Sequence, residues 1–210
     1  MTVETKSDIS RSSTVKRKTS ETDVNIQINL DGIGRSDIKT GIGFFDHMLN
    51  QLACHGLFDL DIKAAGDLNV DNHHTIEDVG LTLGEAFSRA LGTRKGIVRM
   101  GEATVPMDES LAFTCVDFSG RPYCVIKSKW QGESIAAIPT SLLEHFWSSF
   151  AITSGCNIHI RVLEGQDNHH MAEAIFKSAA RAILTATRID PRRAGVVPSS
   201  KGTIGFSGTV

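Results

Sequence analysis

Residues 71–77 read Asp-Asn-His-His-Thr-Ile-Glu, and residues 167–173 read Asp-Asn-His-His-Met-Ala-Glu. The second of these two histidine blocks follows the first by 96 residues (169 − 73 = 96), a little under half of the 210-residue chain. A repeat at that spacing predicts an internal duplication. A further histidine precedes each block, at positions 47 and 145, and follows an acidic residue between two pairs of apolar residues.

The spacing within each block is that of metal ligands on a helix. If the block opens a helix, His73 and Glu77 lie four residues apart and share a face, whereas His74 points about 100° away. Two adjacent imidazoles on a rigid helix therefore serve two metal ions better than one. Imidazole and carboxylate ligands suit a borderline divalent ion, and the lack of cysteine in the set argues against a structural zinc site.

A simpler interpretation is that each block is a polar turn whose aspartate and asparagine cap a helix. For a single block that interpretation is about as good as a metal site. Two blocks, each with a matched upstream histidine, favour the metal site. Only His55 and His159 fall outside the matched pattern, and His159 is interpreted as a structural residue on the polar face of a strand.

Hydrophobic periodicity predicts the same order of elements in both halves. Strands are predicted at residues 14–19, 24–30, 37–40, 57–64, 102–106, 111–118, 123–130 and 157–163. Helices are predicted at residues 44–55, 71–91, 139–154 and 167–187, the first of them closed by a glycine C-cap at residue 56. Each half thus reads β-β-β-α-β-α, which predicts an α+β fold, each half a four-stranded sheet with two helices on one face. The predicted organisation is a disordered leader (1–13), a first half (14–98), a second half (99–189) and a tail (190–210).

The composition is that of an ordinary globular protein, with 40% hydrophobic and 22% charged residues and a net charge of −2. Such a small charge predicts no nucleic-acid partner and no attraction to a membrane surface. No apolar run approaches the roughly 20 residues of a membrane span. The four cysteines show no C-x-x-C spacing and are expected to be buried thiols.

The tail carries Pro-Ser-Ser-Lys-Gly at residues 198–202. Ser199, Ser200 and Lys201 offer hydroxyls, backbone amides and an ammonium group at one place, and these are groups that hold a phosphate. Tails of this composition are more often simply solvated, so the signal is weak by itself.

Together these motifs resemble those of the imidazoleglycerol-phosphate dehydratase family of histidine biosynthesis. The resemblance rests on Gly-Ile-Gly-Phe-Phe-Asp-His-Met-Leu at residues 41–49, the two histidine blocks and the late Pro-Ser-Ser-Lys-Gly, and covers about residues 14–201. It implies a monofunctional enzyme that removes water from D-erythro-imidazole glycerol phosphate to give imidazole acetol phosphate. It also implies a homo-oligomer of 24 subunits with sites between subunits, located in the cytoplasm, or in a plastid if the source is a plant.

The resemblance further implies two manganese ions (Mn²⁺) per active site, and these suit the implied reaction. The proton leaves a carbon next to the imidazole ring, with no carbonyl beside it to accept charge. Two metal ions flanking the ring as an imidazolate would accept that charge as Lewis acids. The implied metal ligands are His47, His73, His74, Glu77, His145, His169, His170 and Glu173.

Other residues are implied to act on the substrate. The implied catalytic groups are Glu21, Glu77, Glu173, His74 and His170. The implied substrate and phosphate contacts are Glu21, His47, His55, His73, Arg99, Arg121, His169, Lys177, Ser199, Ser200 and Lys201. For each single Arg or Lys, a solvated surface charge is the simpler interpretation. Glu21 fits an exposed position in a polar turn about as well as an acid/base role.

Two further functions fit parts of the pattern. A binuclear metallohydrolase acting on phosphate esters would also use two metals and a cationic patch. Such sites are usually richer in aspartate than a set of six histidines and two glutamates. A non-catalytic metal-binding shell protein would use the same ligands, but Arg99, Arg121 and Lys201 favour a small anionic substrate.

Overall fold

The computed structural model of the chain describes residues 11–205, and the first half forms a four-stranded sheet. Its strands are β1 (Ser12–Lys18), β2 (Thr22–Asn29), β3 (Ser36–Lys39) and β4 (Asp59–Gly66). The strand order is β1-β2-β4-β3, and all neighbours are antiparallel except the parallel pair β3 and β4. The helices of this half are α1 (Gly43–Gly56) and α2 (His73–Leu91).

The second half repeats this arrangement. Its elements are β5 (Met100–Met107), β6 (Ser110–Asp117), β7 (Tyr123–Lys127), a small hairpin of β8 (Ser134–Ile135) and β9 (Ile138–Pro139), α3 (Thr140–Ser154), β10 (Asn157–Glu164) and α4 (Asn168–Thr187). The sheet order is β5-β6-β10-β7, again with one parallel pair, β7 and β10. Two four-stranded sheets of the same topology confirm the predicted α+β fold.

Each sheet buries one face because apolar and polar side chains alternate along its strands. In β2, Val24, Ile26 and Ile28 are buried, and the residues between them face outward. Ile26 lies opposite Ile62 of β4, so the apolar rows of neighbouring strands coincide. The buried faces receive the helices, α2 on β1 and β2, and α4 on β5 and β6.

The two halves meet through their helices, α1 against α4 and α2 against α3. Phe45 and Phe146 pack edge to face with ring centroids 5.3 Å apart, and so do Phe87 and Phe150. Such aromatic pairs contribute about 0.5–1.5 kcal/mol each beyond their buried area. The halves therefore share one hydrophobic core.

The crossing of α2 and α3 is close because α2 presents glycines to its partner. A Cβ added at Gly84 would lie 2.4 Å from the carbonyl oxygen of Phe150 and 2.2 Å from Thr153 Oγ1. The same Thr153 hydroxyl donates to the carbonyl of Leu81 over 2.7 Å. This approach brings the start of α2 beside α3.

The predicted glycine C-cap of α1 is wrong. Gly56 stays helical, and Leu57 adopts the left-handed conformation that ends the helix, with φ of 56°. Gly56 is needed for space instead, since an added Cβ would lie 2.3 Å from the ring of Phe58.

Other boundaries differ by a few residues. β1 begins at Ser12, so residues 12 and 13 belong to the sheet, while residues 1–10 of the predicted leader lie outside the described residues, as do 206–210. The predicted connection at 131–137 contains part of the β8–β9 hairpin. The tail starts with a short 3₁₀ turn, Pro191–Arg193. Within residues 11–205, no helix has the length and apolarity needed to cross a membrane.

Candidate metal centre

The upstream histidine of each half meets the histidine block of the other half. Because α1 packs on α4, His47 lies beside His169 and Glu173, and their ligand atoms are all within 4.8 Å of one another. The distance to Glu173 Oε1 is 2.9 Å from His47 Nε2 and 3.1 Å from His169 Nε2. We call these three residues the α1–α4 cluster.

The α2–α3 cluster is the counterpart formed by His73, Glu77 and His145, whose ligand atoms also lie within 4.8 Å of one another. Glu77 is 3.7 Å from His73 Nε2 and 3.6 Å from His145 Nε2. His145 Nε2 is buried and has no hydrogen-bond partner among the described residues. A buried ring nitrogen of this kind fits a metal ligand, because an ion would satisfy its lone pair.

The carboxylate of the α1–α4 cluster is held in its ionised form. Glu173 is buried, and burial raises its pKa, but hydrogen bonds from Lys177 and His47 outweigh burial and hold the pKa at about 2. Lys177 Nζ lies 2.6 Å from Glu173 Oε2, one helical turn along α4. Lys177, one of the implied phosphate contacts, therefore lies beside the α1–α4 cluster.

The structure does not bring His74 or His170 into either cluster. His74 Nδ1 is 3.0 Å from Asp67 Oδ2, and His170 Nδ1 is 2.7 Å from Glu109 Oε2. These hydrogen bonds are the main reason that the pKa of each of the two histidines is raised. The second histidine of each block thus points away from the first, as helix spacing predicts, and we call His74 and His170 the outward histidines.

The helix-capping interpretation holds for the aspartates of the blocks but is wrong for the asparagines, because Asn72 donates to the carbonyl of Ala137 and Asn168 accepts from the backbone N–H of Gln131. Asp167 caps α4 by accepting hydrogen bonds from the backbone N–H groups of His169 and His170. Asp71 accepts one from His73 N over 2.7 Å. Capping and metal binding are compatible, because the aspartates hold the helix start while the imidazoles project from it.

Glu21 and His55 lie near the predicted ligands but outside both clusters. Glu21 Oε2 is 3.9 Å from His74 Nδ1, and its side chain is 48% exposed. His55 Nε2 is 3.0 Å from Gln51 Oε1, and burial is the main cause of its lowered pKa.

The predicted phosphate contacts Arg99, Arg121 and the tail lie elsewhere. Arg99 N donates to the carbonyl of Ala186, near the C-terminal end of α4. Its guanidinium binds Asp117 through two hydrogen bonds of 2.7 and 2.9 Å and donates to the carbonyl of Pro198 over 2.8 Å. The tail backbone also contacts Gly120, next to Arg121, since a Cβ added at Gly120 would lie 2.6 Å from the nitrogen of Gly205.

These groups are far from both clusters of the same chain. Ala186 follows His169 by 17 residues of α4 (186 − 169 = 17), or about 25 Å at 1.5 Å per residue. Gly155, the C-cap of α3, accepts a hydrogen bond from Gly120 N and follows His145 by 10 residues (155 − 145 = 10), or about 15 Å. Ser199, Ser200 and Lys201 thus lie with Arg99 at the opposite end of the helices from the clusters.

A cavity of about 700 Å³ is lined by none of the histidines. It lies on the outer face of the first sheet, beside Asp37 and Asp59, and none of the predicted site residues lines it. A cavity of about 500 Å³ touches His73 and the β8–β9 turn at Ala137. The cavity on the sheet is a wide polar depression whose described residues hold no set of metal ligands like those of the two clusters. The clusters therefore mark the candidate site.

Two residues beside the outward histidines, Asp67 and Glu109, were not predicted from the sequence. Glu109 could have been found from the duplication, because it directly precedes β6 as Glu21 precedes β2. Asp67 had no such signal, since its contact with His74 depends on the path of the loop after β4.

The chain is similar to known proteins over most of its length. The family model described as imidazoleglycerol-phosphate dehydratase matches residues 40–183. The imidazoleglycerol-phosphate dehydratase of Dehalococcoides mccartyi (strain CBDB1) is 54% identical over 194 residues, covering 92% of this chain and 97% of the relative. That of Methylobacterium radiotolerans is 48% identical over 194 residues, covering 92% and 100%.

Two solved structures are similar to the fold. The Staphylococcus aureus imidazoleglycerol-phosphate dehydratase superimposes with a TM-score of 0.77 at 35% identity, covering 85% of this chain and 99% of that one. The Pyrococcus furiosus protein superimposes with a TM-score of 0.79 at 34% identity, covering 90% and 100%.

Proposed function

We propose that this chain, which belongs to the imidazoleglycerol-phosphate dehydratase family of hydro-lyases in histidine biosynthesis, acts on D-erythro-imidazole glycerol phosphate with two manganese ions per active site. The single observation that supports the metal proposal best is the pair of His-His-Glu clusters, each assembled from both halves of the chain. Bound manganese would act as a Lewis acid that accepts charge from the imidazole ring of the substrate.

The clusters fit divalent metal ions by the chemistry of their donors. Each offers two imidazole nitrogens and one carboxylate, which leaves coordination positions open. The unpartnered His145 Nε2 and the ionised Glu173 are donors that suit a cation, which would replace the hydrogen bonds that His47 and His169 now make to Glu173. His47, His169 and Glu173 would hold one ion, and His73, Glu77 and His145 the other.

The outward histidines would complete these sites in other copies of the chain. Each has its Nδ1 bound to a carboxylate, which leaves Nε2 as the nitrogen that can bind metal. Because each outward histidine points away from the cluster on its own helix, the ion that it binds would belong to another subunit. This supports the proposed homo-oligomer with sites between subunits, for which 24 subunits is the expected number.

The position of the expected phosphate-binding residues supports the same proposal. An imidazole with a three-carbon phosphate chain spans roughly 10 Å by bond lengths. Arg99 and the Ser199–Lys201 turn lie about 25 Å from the α1–α4 cluster along α4. One chain cannot bind the ring and the phosphate of one substrate with these two groups, so a second copy would supply the phosphate contacts.

Glu21 is the proposed acid/base group. Its half-exposed carboxylate stands 3.9 Å from an outward histidine, where a substrate ring bound to the metals could reach it. A carboxylate there would take the proton from the carbon next to the ring or return one to the departing hydroxyl.

The proposal is tested by the product. Purified chain with manganese should form imidazole acetol phosphate, followed by its ultraviolet absorbance, and chelation should stop the reaction until manganese is restored. His170→Ala should abolish turnover while the far-ultraviolet circular dichroism is kept. His159→Ala is the matched control, because His159 is exposed on β10 and should retain full activity.

The same assay separates the alternatives. Release of free phosphate without the dehydrated product would favour a metallohydrolase. Manganese binding without either product would favour a metal-binding shell protein. Full activity of His170→Ala would remove the outward histidines from the site.

A further inference from the structure

Glu21 and Glu109 occupy the same place in the two halves. Each directly precedes the second strand of its sheet, β2 or β6, and the two residues are 88 positions apart (109 − 21 = 88), as are the starts of these strands (110 − 22 = 88). Each lies beside the outward histidine of its own half, His74 or His170. The duplication therefore makes them structural equivalents.

The carboxylate of Glu109 is fully occupied inside the second half. Its Oε2 is 2.7 Å from His170 Nδ1. Its Oε1 accepts from the backbone N–H groups of Gln166 and Asp167 over 3.2 and 3.0 Å, and from Ser110 Oγ over 2.9 Å. Glu109 thus fixes both the ring of His170 and the loop that leads into α4.

In the first half, Asp67 makes the contact that Glu109 makes in the second. Both oxygens of Asp67 lie near His74 Nδ1, at 3.0 and 3.2 Å. Its backbone N–H donates to the carbonyl of Glu21 over 3.1 Å, which ties the loop after β4 to the start of β2. The Glu21 side chain remains at 3.9 Å from the same ring nitrogen, beyond hydrogen-bonding distance.

We propose that Asp67 and Glu109 are the positioning residues of the two outward histidines, and that Asp67 thereby releases Glu21 to act on the substrate. A carboxylate on Nδ1 keeps the proton there, fixes the ring plane and leaves Nε2 as the metal-binding nitrogen. The two halves are then unequal. In the first, the Glu21 carboxylate is left free on the Nδ1 side of its outward histidine, whereas in the second the Nδ1 side is filled by Glu109 and the nearby exposed carboxylate, Asp108, lies 3.9 Å from Nε2 of His170. The role given to Glu21 rests on the proposed function.

Manganese binding tests the positioning separately from catalysis. Asp67→Asn, Glu109→Gln and Glu21→Gln would be made in the full chain, stripped of metal and titrated with Mn²⁺, with free Mn²⁺ followed by electron paramagnetic resonance. Asp61→Asn is the matched control, because Asp61 lies on the outer face of the first sheet, away from both blocks. The amide of Glu109→Gln keeps an acceptor for the loop N–H groups, so loss of the loop is avoided.

Asp67→Asn and Glu109→Gln should each weaken one of the two manganese sites per chain roughly 10- to 100-fold and leave the other unchanged. Their dehydratase activity should recover with excess manganese. Glu21→Gln should bind manganese like the unmodified chain and stay inactive at every manganese concentration.

Manganese affinity unchanged in Glu109→Gln, or in both Asp67→Asn and the double variant Asp67→Asn/Glu21→Gln, would overturn the positioning assignment. Weakening by Glu21→Gln as large as that by Asp67→Asn would overturn the release of Glu21. If the substitutions weaken manganese binding as expected but the unmodified chain forms no imidazole acetol phosphate, the positioning stands and the proposed function fails.

Discussion

Arg99 is more firmly engaged within its own chain than a free phosphate ligand would be. Its guanidinium is paired with Asp117 and donates to the carbonyl of Pro198, so it holds the tail as well as offering its remaining N–H groups. Lys201 differs, because its side chain is exposed while its backbone N–H donates to Ser199 Oγ. From sequence alone the two residues were expected to behave alike, and the structure separates them.

This difference predicts different outcomes for Lys201→Ala and Arg99→Ala. A charged hydrogen bond to phosphate is worth roughly 1.5–3 kcal/mol, so Lys201→Ala should lower kcat/KM about 10- to 100-fold without changing the melting temperature. Arg99→Ala should lower kcat/KM and also the melting temperature by several degrees, because Asp117 loses its partner. Lys16→Ala, exposed on the first sheet, is the control.

A phosphate contact is identified by comparing activity on the substrate with activity on an analogue that lacks the phosphate group. The defect of Lys201→Ala should shrink with an analogue that lacks the phosphate group. An equal defect with both substrates would show that Lys201 does not bind the phosphate and that the tail is simply solvated.

Replacing His145 should affect the stability of the metal-free chain and that of the metal-bound chain differently. Its Nε2 is buried without a partner, so His145→Leu should leave the melting temperature of the metal-free chain unchanged or slightly higher. Saturating manganese at about 100 times its Kd stabilises by about 2.7 kcal/mol, and the variant should lose a large part of that gain. Scanning calorimetry with and without manganese measures both. A large loss of stability in the metal-free state would show that His145 is held by packing instead.

At the scale of elements, local hydrophobic periodicity predicts most of the strands and helices. The alternation that buries Val24, Ile26 and Ile28 identified β2, and the helical spacing of Val79, Leu83 and Phe87 identified the buried side of α2. The hairpin of β8 and β9 was missed because two-residue strands leave no period to detect.

The candidate site was less accessible to sequence reasoning. The ligand types and the divergence of His73 and His74 follow from spacing along one helix. The crosswise pairing of His47 with Glu173 does not, because it depends on how α1 and α4 pack over a separation of more than one hundred residues. The C-cap at Leu57 likewise depends on the space that Phe58 takes beside Gly56.

Gly84 allows the α2–α3 crossing, and substitution there should be costly. A Cβ at Gly84 would lie 2.4 Å from the Phe150 carbonyl oxygen, and rigid backbone cannot move aside cheaply. Gly84→Ala should therefore destabilise by about 1–3 kcal/mol, although alanine ordinarily favours a helix interior by about 1 kcal/mol. Gly43→Ala is the matched control, because an added Cβ there meets nothing within 4 Å. Urea unfolding that finds equal stability for both variants would contradict the close crossing.

At the scale of the whole molecule, shared sites predict complementation between an inactive and an impaired variant. His47→Ala removes a ligand of the α1–α4 cluster, and Lys201→Ala weakens the phosphate turn of the same chain. Dissociating the two proteins by chelation, mixing them and restoring manganese should create some sites with both groups intact. Activity above the sum of the separate variants is the expected result. Sites contained within one chain would give no gain.

Assembly itself should depend on metal. If an outward histidine of one copy binds the ion of another, removing the ion removes a cross-link between subunits. Size-exclusion chromatography after chelation should show smaller species that grow again when manganese is added. An unchanged elution volume after verified metal removal would mean that apolar interfaces alone hold the assembly.

The crosswise clusters also bear on how such a chain could arise. Each cluster takes one histidine from one half and a histidine and a glutamate from the other, so neither half by itself contains a complete set. A half-length ancestor could have built the set only by pairing with a second copy of itself, and a twofold pair would have built it twice. Fusion of two such genes would then have turned a symmetric dimer into one polypeptide. After fusion, each half could change independently of the other. Glu109 could keep its structural role in the second half while its equivalent, Glu21, took a catalytic role in the first.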